Sequence, residues 1–177
     1  MFKNILLCIL LANVFVYAND GFISTKEGIY VPSLDGVSKV FIGTPVKTLK
    51  VEGDATEIVI TGYSDPEKKE LLFSNNSKRI VIAQSPYIQS EGEKGTLKVA
   101  INSSFIVKEK KNVWKKSEDL YYEKCTQCHA ANEPDGHTMA EWEGLLASME
   151  QFAQPNANEK EMLLHFLKSN AKDALEK

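Results

Sequence analysis

The chain contains the pentapeptide Cys125-Thr126-Gln127-Cys128-His129, which has the pattern C-x-x-C-H. Two thiols at this spacing, one helical turn apart, can form thioether bonds with the two vinyl groups of a haem, and the imidazole that follows can bind the iron. The pattern therefore predicts one covalently attached haem c. Cys125 and Cys128 are the expected attachment residues, and His129 is the expected proximal ligand of the iron.

Two other interpretations of the same residues are weaker. A dithiol of the thioredoxin type is expected in a βαβ context, which the surrounding sequence does not show. A zinc site would need His137 and His165 to complete a Cys₂His₂ set, at spacings that are unusual for such sites. Haem attachment is therefore favoured, and the zinc site and the dithiol are the alternatives.

The sixth position of the iron has several candidate ligands downstream of the motif: His137, Met139, Met149, Met162 and His165. Met149 is the predicted ligand, because it lies in the middle of an amphipathic stripe some twenty residues past His129. A methionine at helical spacing is more often a core residue, so His137, Met139 and an open position remain alternatives. A methionine ligand raises the reduction potential relative to paired histidines, whereas an open position permits ligand binding or catalysis.

Helical signals surround the motif from residue 117 to residue 177. Three helix starts are expected, at Ser117, at Thr138 with Glu141, and at Asn158 with Glu161. The apolar stripe of the second helix carries Trp142, Leu145, Leu146, Met149 and Phe152, and that of the third carries Leu163, Phe166, Leu167 and Ala171. Residues 108–116, which hold five lysines and one glutamate, are expected to be a solvated linker or a docking patch for an acidic partner.

The region before the linker has the composition of strands, with short β-branched runs between turn residues. Such closely spaced strands predict a small closed or half-closed barrel over residues 19–107. The expected strands cover 29–31, 40–42, 47–51, 57–61, 71–73, 80–83, 97–101 and 105–107. The predicted fold class is therefore α+β in two parts, with an all-β barrel followed by a small all-α haem domain over 117–177.

The first eighteen residues have the features of a secretory signal peptide: a basic start, an apolar core from Ile5 to Ala18 and small or apolar residues at its end. Cleavage after Ala18 would remove Cys8, so both remaining cysteines belong to the haem motif. Retention of the segment as a membrane anchor is the alternative. Export agrees with haem attachment outside the cytoplasm, and a net charge of −3 argues against a general role in nucleic-acid binding.

The order and spacing of these segments resemble a known family. The helical segments concerned are Leu120–His129, His137, Trp142, Leu145–Met149, Leu163–Leu167 and Asn170–Ala171, and the strand segments are Gly43–Val46, Leu49–Asp54, Ile58–Tyr63 and Lys78–Val81. Residues 28–177 resemble the C-terminal barrel and monohaem domain of the cytochrome c subunit of trimethylamine-N-oxide reductase systems. The resemblance implies a barrel of the SH3-like type, although Ala55 stands where many such barrels carry a tryptophan.

The resemblance also implies a role. Full-length members carry a four-haem, membrane-anchored, quinol-oxidising region ahead of these domains, and a signal peptide is expected in its place here. The implied protein is a periplasmic monohaem electron carrier and not itself an enzyme. Its electrons would come from an upstream quinol-oxidising complex and pass to a molybdenum-cofactor reductase of N-oxides or S-oxides. A haem-based sensor or haem enzyme with an open sixth position is the alternative, and a subunit that only binds partners is a third class.

Overall fold

The structure, a computed structural model, describes residues 21–174. The predicted signal peptide at 1–18, with Cys8 and the cleavage site after Ala18, lies outside the described residues. The described chain is a mixed α/β structure in which a curled antiparallel sheet is followed by three helices. None of the helices in this range has the length and apolar character that a bilayer crossing requires.

The sheet has ten strands in the described range. They are β1 (Gly21–Ile23), β2 (Tyr30–Pro32), β3 (Lys39–Phe41), β4 (Pro45–Glu52), β5 (Ala55–Ser64), β6 (Leu71–Phe73), β7 (Val81–Gln84), β8 (Gln89–Glu91), β9 (Lys94–Asn102) and β10 (Ile106–Val107). The order is β10-β1-β4-β5-β6-β7-β3-β2, with β9 on the other edge of β5 and β8 on β9. All eight predicted strands are present, and β1 and β8 were not predicted.

Alternating burial explains why these segments form strands around one core. In β9, Leu97, Val99 and Ile101 are buried while the residues between them are exposed or half-buried. In β5, Ile58 and Ile60 are likewise fully buried. This period of two places one face of each strand inside the curled sheet and leaves the other face to solvent.

The three helices are α1 (Lys115–Cys125), α2 (Met139–Ala153) and α3 (Ala157–Asn170). The capping box of Thr138 and Glu141 is confirmed at the start of α2. The capping prediction for Ser117 is wrong, because that residue is buried inside α1. The prediction for Asn158 is wrong by two residues: Asn156 and Glu159 form the box of α3, and Pro155 stands just before it.

Residues 108–116, predicted as a solvated linker, only partly fit that description. The lysines at 108, 110 and 111 are exposed, and Lys110–Asn112 forms a short 3₁₀ helix. Val113 and Trp114 are buried, and they belong to a core that the sheet and the helices share. The segment therefore packs between the two parts instead of only connecting them.

The contact between sheet and helices also contains polar bonds. Nε2 of His165, on α3, lies 2.9 Å from the carbonyl oxygen of Ile42. Arg79 and Glu143 form an ion pair at 3.1 Å on the exposed side of the contact. These bonds fix the position of α3 and α2 against the sheet.

Candidate haem site

The C-x-x-C-H motif lies where α1 ends. Cys125 is the last residue of the helix, and Cys128 and His129 lie in the exposed segment that follows. Two polar side chains of the motif bind carbonyl oxygens of the last turn: Oγ1 of Thr126 donates to Tyr122 at 2.6 Å, and Nε2 of Gln127 donates to Glu123 at 3.1 Å. The carbonyl oxygen of Tyr122 also accepts the backbone N–H of Thr126 at 3.2 Å, so residues of the motif bind carbonyl oxygens of the last turn of α1.

The two cysteines are free thiols with different surroundings. Cys125 is half-buried and packs against the core, and Cys128 is exposed. Burial raises the pKa of the Cys125 thiol above its ordinary value, so this thiol is neutral at neutral pH. One sulfur is thus held by the fold and the other is accessible from outside.

The imidazole of His129 is oriented by its own backbone. Nδ1 lies 2.7 Å from the carbonyl oxygen of Ala130. A carbonyl oxygen can only accept a hydrogen bond, so Nδ1 carries a proton, and in the neutral ring Nε2 then keeps its lone pair. Histidines that bind metals commonly donate their other ring N–H to such a carbonyl group. The ring is therefore in the tautomer that an iron ligand requires.

The apolar stripe of α2 extends beyond the part that the protein covers. Trp142 and Leu146 are buried, whereas Met149 is 39% exposed and Phe152 is 69% exposed. Tyr122, on α1, is also an exposed large side chain. Large apolar side chains that remain uncovered beside a thiol motif fit a site for a flat, mostly apolar group.

Ion pairs show that the motif and Met149 lie at the same end of the helices. Lys124, next to Cys125, pairs with Glu159 in the first turn of α3 at 3.2 Å. The next residue of α3, Lys160, pairs with Glu150 of α2 at 2.6 Å. The first turn of α3 therefore connects the residue before Cys125 with the residue after Met149. The donor set and these exposed apolar residues together fit a covalently attached haem.

The other candidate ligands are engaged elsewhere. Met139 is 1% exposed and Met162 is also buried in the core. The ring of His137 lies edge-on to Trp142, with ring centres 4.8 Å apart, and Nδ1 is 3.9 Å from Glu141. Of the five candidates, Met149 is the exposed one.

His165 takes part in the contact with the sheet, through the bond to Ile42 described above. Burial lowers the pKa of His165 to about 4, so its ring is neutral at neutral pH. Within residues 21–174, no group of three or more His, Cys, Asp or Glu side chains converges as a metal site would require. The Cys₂His₂ set considered for zinc is therefore not assembled in the described range.

Two residues with a contact to the motif loop were not predicted as such. The hydroxyl of Tyr121 donates to the carbonyl oxygen of Asn132 at 2.7 Å, and Nε1 of Trp142 donates to Pro134 at 2.8 Å. Burial, with smaller contributions from nearby acidic groups, raises the pKa of Tyr121 to about 12. From sequence, Tyr121 and Trp142 are expected to be packing residues, with the alternative that one of them lines the haem, and nothing local shows where the loop runs.

A cavity of about 1500 Å³ lies away from the motif. It lies between the sheet residues near 24–32 and the helices α1 and α3. On α1 it is lined by Lys115, Lys116, Asp119, Leu120 and Glu123, and none of Cys125, Cys128 and His129 lines it. The candidate haem site is thus an exposed apolar surface and not this cavity.

Comparison with known proteins gives a limited likeness. Two curated relatives, both called cytochrome c-type protein TorC, come from Escherichia coli O157:H7 and Escherichia coli strain K12. Each is 28% identical over 145 residues, which cover 72% of this chain and 37% of the relative. The chain therefore spans little more than a third of the length of these relatives. No family model and no solved structure matches the chain.

Proposed function

We propose that this protein is a monohaem c-type cytochrome that carries electrons in the periplasm. The observation that carries the proposal is the C-x-x-C-H motif at the end of α1, where Nδ1 of His129 donates to Ala130 and leaves Nε2 for iron. The likeness to two cytochrome c-type proteins supports the same assignment. Because the aligned share of the chain is larger than the helical part, the likeness extends beyond the helices.

Each residue of the site has a proposed role. Cys125 and Cys128 hold haem c through thioether bonds, and His129 is the proximal ligand. Met149 is the proposed distal ligand, because it is an exposed methionine at the end of the helices where the motif lies. When bound, haem c supplies one iron that takes up and releases a single electron.

The surrounding residues would exclude water from one side of this group. Tyr122, Met149 and Phe152 are large side chains whose exposed surface a bound haem would cover. Burial of that surface supplies the apolar contacts that a small helical unit needs for stability. In this proposal the helices form a cytochrome c domain over 117–177, and the curled sheet over 19–107 is an SH3-like barrel that serves as a docking module.

The proposed partners follow from the family resemblance. Electrons would come from a quinol-oxidising complex and pass to a periplasmic molybdenum-cofactor reductase of N-oxides or S-oxides. The protein is a carrier or subunit in this scheme and catalyses no reaction itself. The predicted signal peptide at 1–18 would bring it to the periplasm.

Haem attachment can be tested on protein produced with the cytochrome c maturation machinery. We expect a mass increase of one haem that survives denaturation, and a reduced absorption spectrum typical of thioether-linked haem. Cys125→Ala combined with Cys128→Ala should abolish both, whereas Tyr87→Phe, at an exposed position in the turn between β7 and β8, should change neither. Wild-type protein without covalent haem would contradict the proposal.

Electron transfer is tested with the wild-type protein in its reduced form. Addition of a molybdenum-cofactor N-oxide reductase and trimethylamine N-oxide should oxidise the haem, and omission of either should not. A haem that stays reduced beside an active reductase would rule out this acceptor. A high-spin ferric spectrum would instead favour a sensor or a haem enzyme with an open sixth position.

A further inference from the structure

The segment that follows α1, which contains the haem motif, forms a closed loop on that helix. It leaves the helix at Cys125 and runs through His129 to Asn132, whose carbonyl oxygen accepts the hydroxyl of Tyr121 at 2.7 Å. Tyr121 precedes Cys125 by four residues, so the two lie one above the other on the same face of the helix. Both ends of the loop are thus held by the same stretch of α1, and His129 lies in the middle.

A second donor holds the chain just beyond the loop. Nε1 of Trp142, on α2, donates to the carbonyl oxygen of Pro134 at 2.8 Å. The rings of Trp142 and Tyr121 meet edge to face, with centres 6.1 Å apart and planes at 86°. Both side chains are buried, so loss of either hydrogen bond would leave a donor that bulk water cannot reach, at a cost in free energy. The two bonds therefore act on one short stretch of chain from two helices.

We infer that Tyr121 is a positioning residue for the haem ligand His129, with Trp142 as its support. This inference rests on the proposed function, because it assigns a role toward an iron ligand. The hydroxyl of Tyr121 fixes where the loop returns to α1. That bond limits the positions that His129 can take, and it does so without contact with the imidazole itself.

Other bonds in the loop do not fix its return to α1. The bond from Nδ1 of His129 to Ala130 is between adjacent residues, so it orients the ring but does not locate the loop. Thr126 and Gln127 bind carbonyl oxygens of the last turn of α1, so they hold only the start of the loop. Cys128 and Asn132 are exposed, and Ala131 packs partly buried against the core. Among the described residues, the hydrogen bond from Tyr121 ties the far end of the loop to α1.

The test removes one hydroxyl group from the holoprotein. Tyr121→Phe keeps the ring contacts with Trp142 and Phe166 and deletes the bond to Asn132. Tyr87→Phe removes a hydroxyl from an exposed position in the turn between β7 and β8 and is the control for the substitution itself. Trp142→Phe removes the second donor. NMR order parameters of the backbone amides at 128–132 are measured together with the reduction potential and the ferric low-spin spectrum.

We expect the order parameters at 128–132 to fall in Tyr121→Phe, because loss of the bond to Asn132 frees the far end of the loop. The reduction potential and the low-spin spectrum should change with them, and Tyr87→Phe should match the wild type. A merely structural role would lower the unfolding temperature and leave the order parameters, the potential and the spectrum unchanged, and that result would overturn the inference. Wild-type protein without covalent haem would overturn the proposed function and this inference together, whereas unchanged order parameters in haem-loaded Tyr121→Phe would overturn the inference alone.

Discussion

The indole ring of Trp114 lies so close to Gly43 that a Cβ atom on Gly43 would be 2.3 Å from Cζ2 of the indole. Gly43 has a φ of 81°, a backbone conformation that residues other than glycine rarely adopt. Trp114 also contacts the rings of His165 and Phe166 on α3. The approach of Trp114 to Gly43 therefore joins the sheet to the helices that carry the haem motif.

Comparison of Gly43→Ala with Gly53→Ala should separate the cost of the steric conflict with Trp114 from the cost of backbone strain. Gly43→Ala introduces both a steric conflict with Trp114 and a non-glycine residue at positive φ, and we expect a loss of about 2–4 kcal/mol in the free energy of unfolding. Gly53→Ala is the control, because Gly53 has a φ of 58° and nothing within 4 Å of a new Cβ. Its cost should be about 1 kcal/mol. Equal costs in urea denaturation would show that the contact with Trp114 contributes nothing.

Stability should depend on pH through His165. Its pKa is lowered to about 4 in the folded protein, mainly by burial, with a smaller contribution from Lys168. The unfolded chain, in which histidine has its ordinary pKa near 6.5, therefore takes up the proton first as the pH falls. The stability that the neutral ring provides is present above about pH 6.5 and is lost as the pH falls toward 4, by roughly 3 kcal/mol.

The measurement is the free energy of unfolding from pH 8 to pH 4, compared between wild type and His165→Gln. The variant should lose part of the pH dependence in this window. His137→Gln changes a histidine outside the contact with the sheet and serves as the control. Identical slopes in wild type and His165→Gln would show that His165 does not titrate as its surroundings indicate.

Local signals predicted the elements whose ends are determined locally. Thr138 and Glu141 cap α2 because both partners belong to one helical turn and need nothing from the rest of the fold. Ser117 failed as a cap because the position of Trp114 in the shared core sets where α1 starts. At α3 two overlapping patterns compete, and the pattern that begins at Asn156 forms the cap.

In the candidate site, too, only the features that depend on neighbouring residues could be predicted. Cys125, Cys128 and His129 lie within five residues, so their pattern alone indicates haem. The bond from Tyr121 to Asn132 depends on the path of an irregular loop, which has no period to predict it. The stripe of α2 was predicted from its period, but the uncovered position of Met149 depends on how α1 and α3 pack, and no local pattern contains that information.

Replacement of Met149 tests the distal ligand. Met149→Leu should abolish the long-wavelength charge-transfer band of methionine bound to ferric iron and lower the reduction potential. Because Met149 is partly exposed, the cost in stability of the apoprotein should be small. Met162→Leu, at a buried methionine of α3, should keep the band. A band that survives in Met149→Leu and disappears in Met139→Leu would assign the ligand to Met139 instead.

The capping box at the start of α2 should contribute to the stability of the helix that carries Met149. Oγ1 of Thr138 accepts the N–H of Glu141 at 3.2 Å, and the carboxylate of Glu141 accepts the N–H of Thr138 at 2.7 Å. Thr138→Ala removes the first bond and should cost about 1 kcal/mol. Ser148→Ala, at an exposed position within α2, should change the stability by less than about 0.5 kcal/mol.

The pKa of Glu141 should report on the second bond of the capping box, which its carboxylate accepts from Thr138. The backbone and the hydroxyl of Thr138, with Lys172, lower the pKa of Glu141 to about 2. A carboxylate with a lowered pKa contributes stability above its ordinary pKa, and that contribution is lost as the pH falls toward 2. Thr138→Ala keeps the backbone N–H, which is the largest cause of the shift, and removes the hydroxyl, which is the second. The variant should therefore raise the pKa of Glu141 part of the way toward its ordinary value. NMR titration of the Glu141 carboxyl measures this directly, and an unchanged pKa in the variant would mean that the hydroxyl of Thr138 does not contribute to the shift.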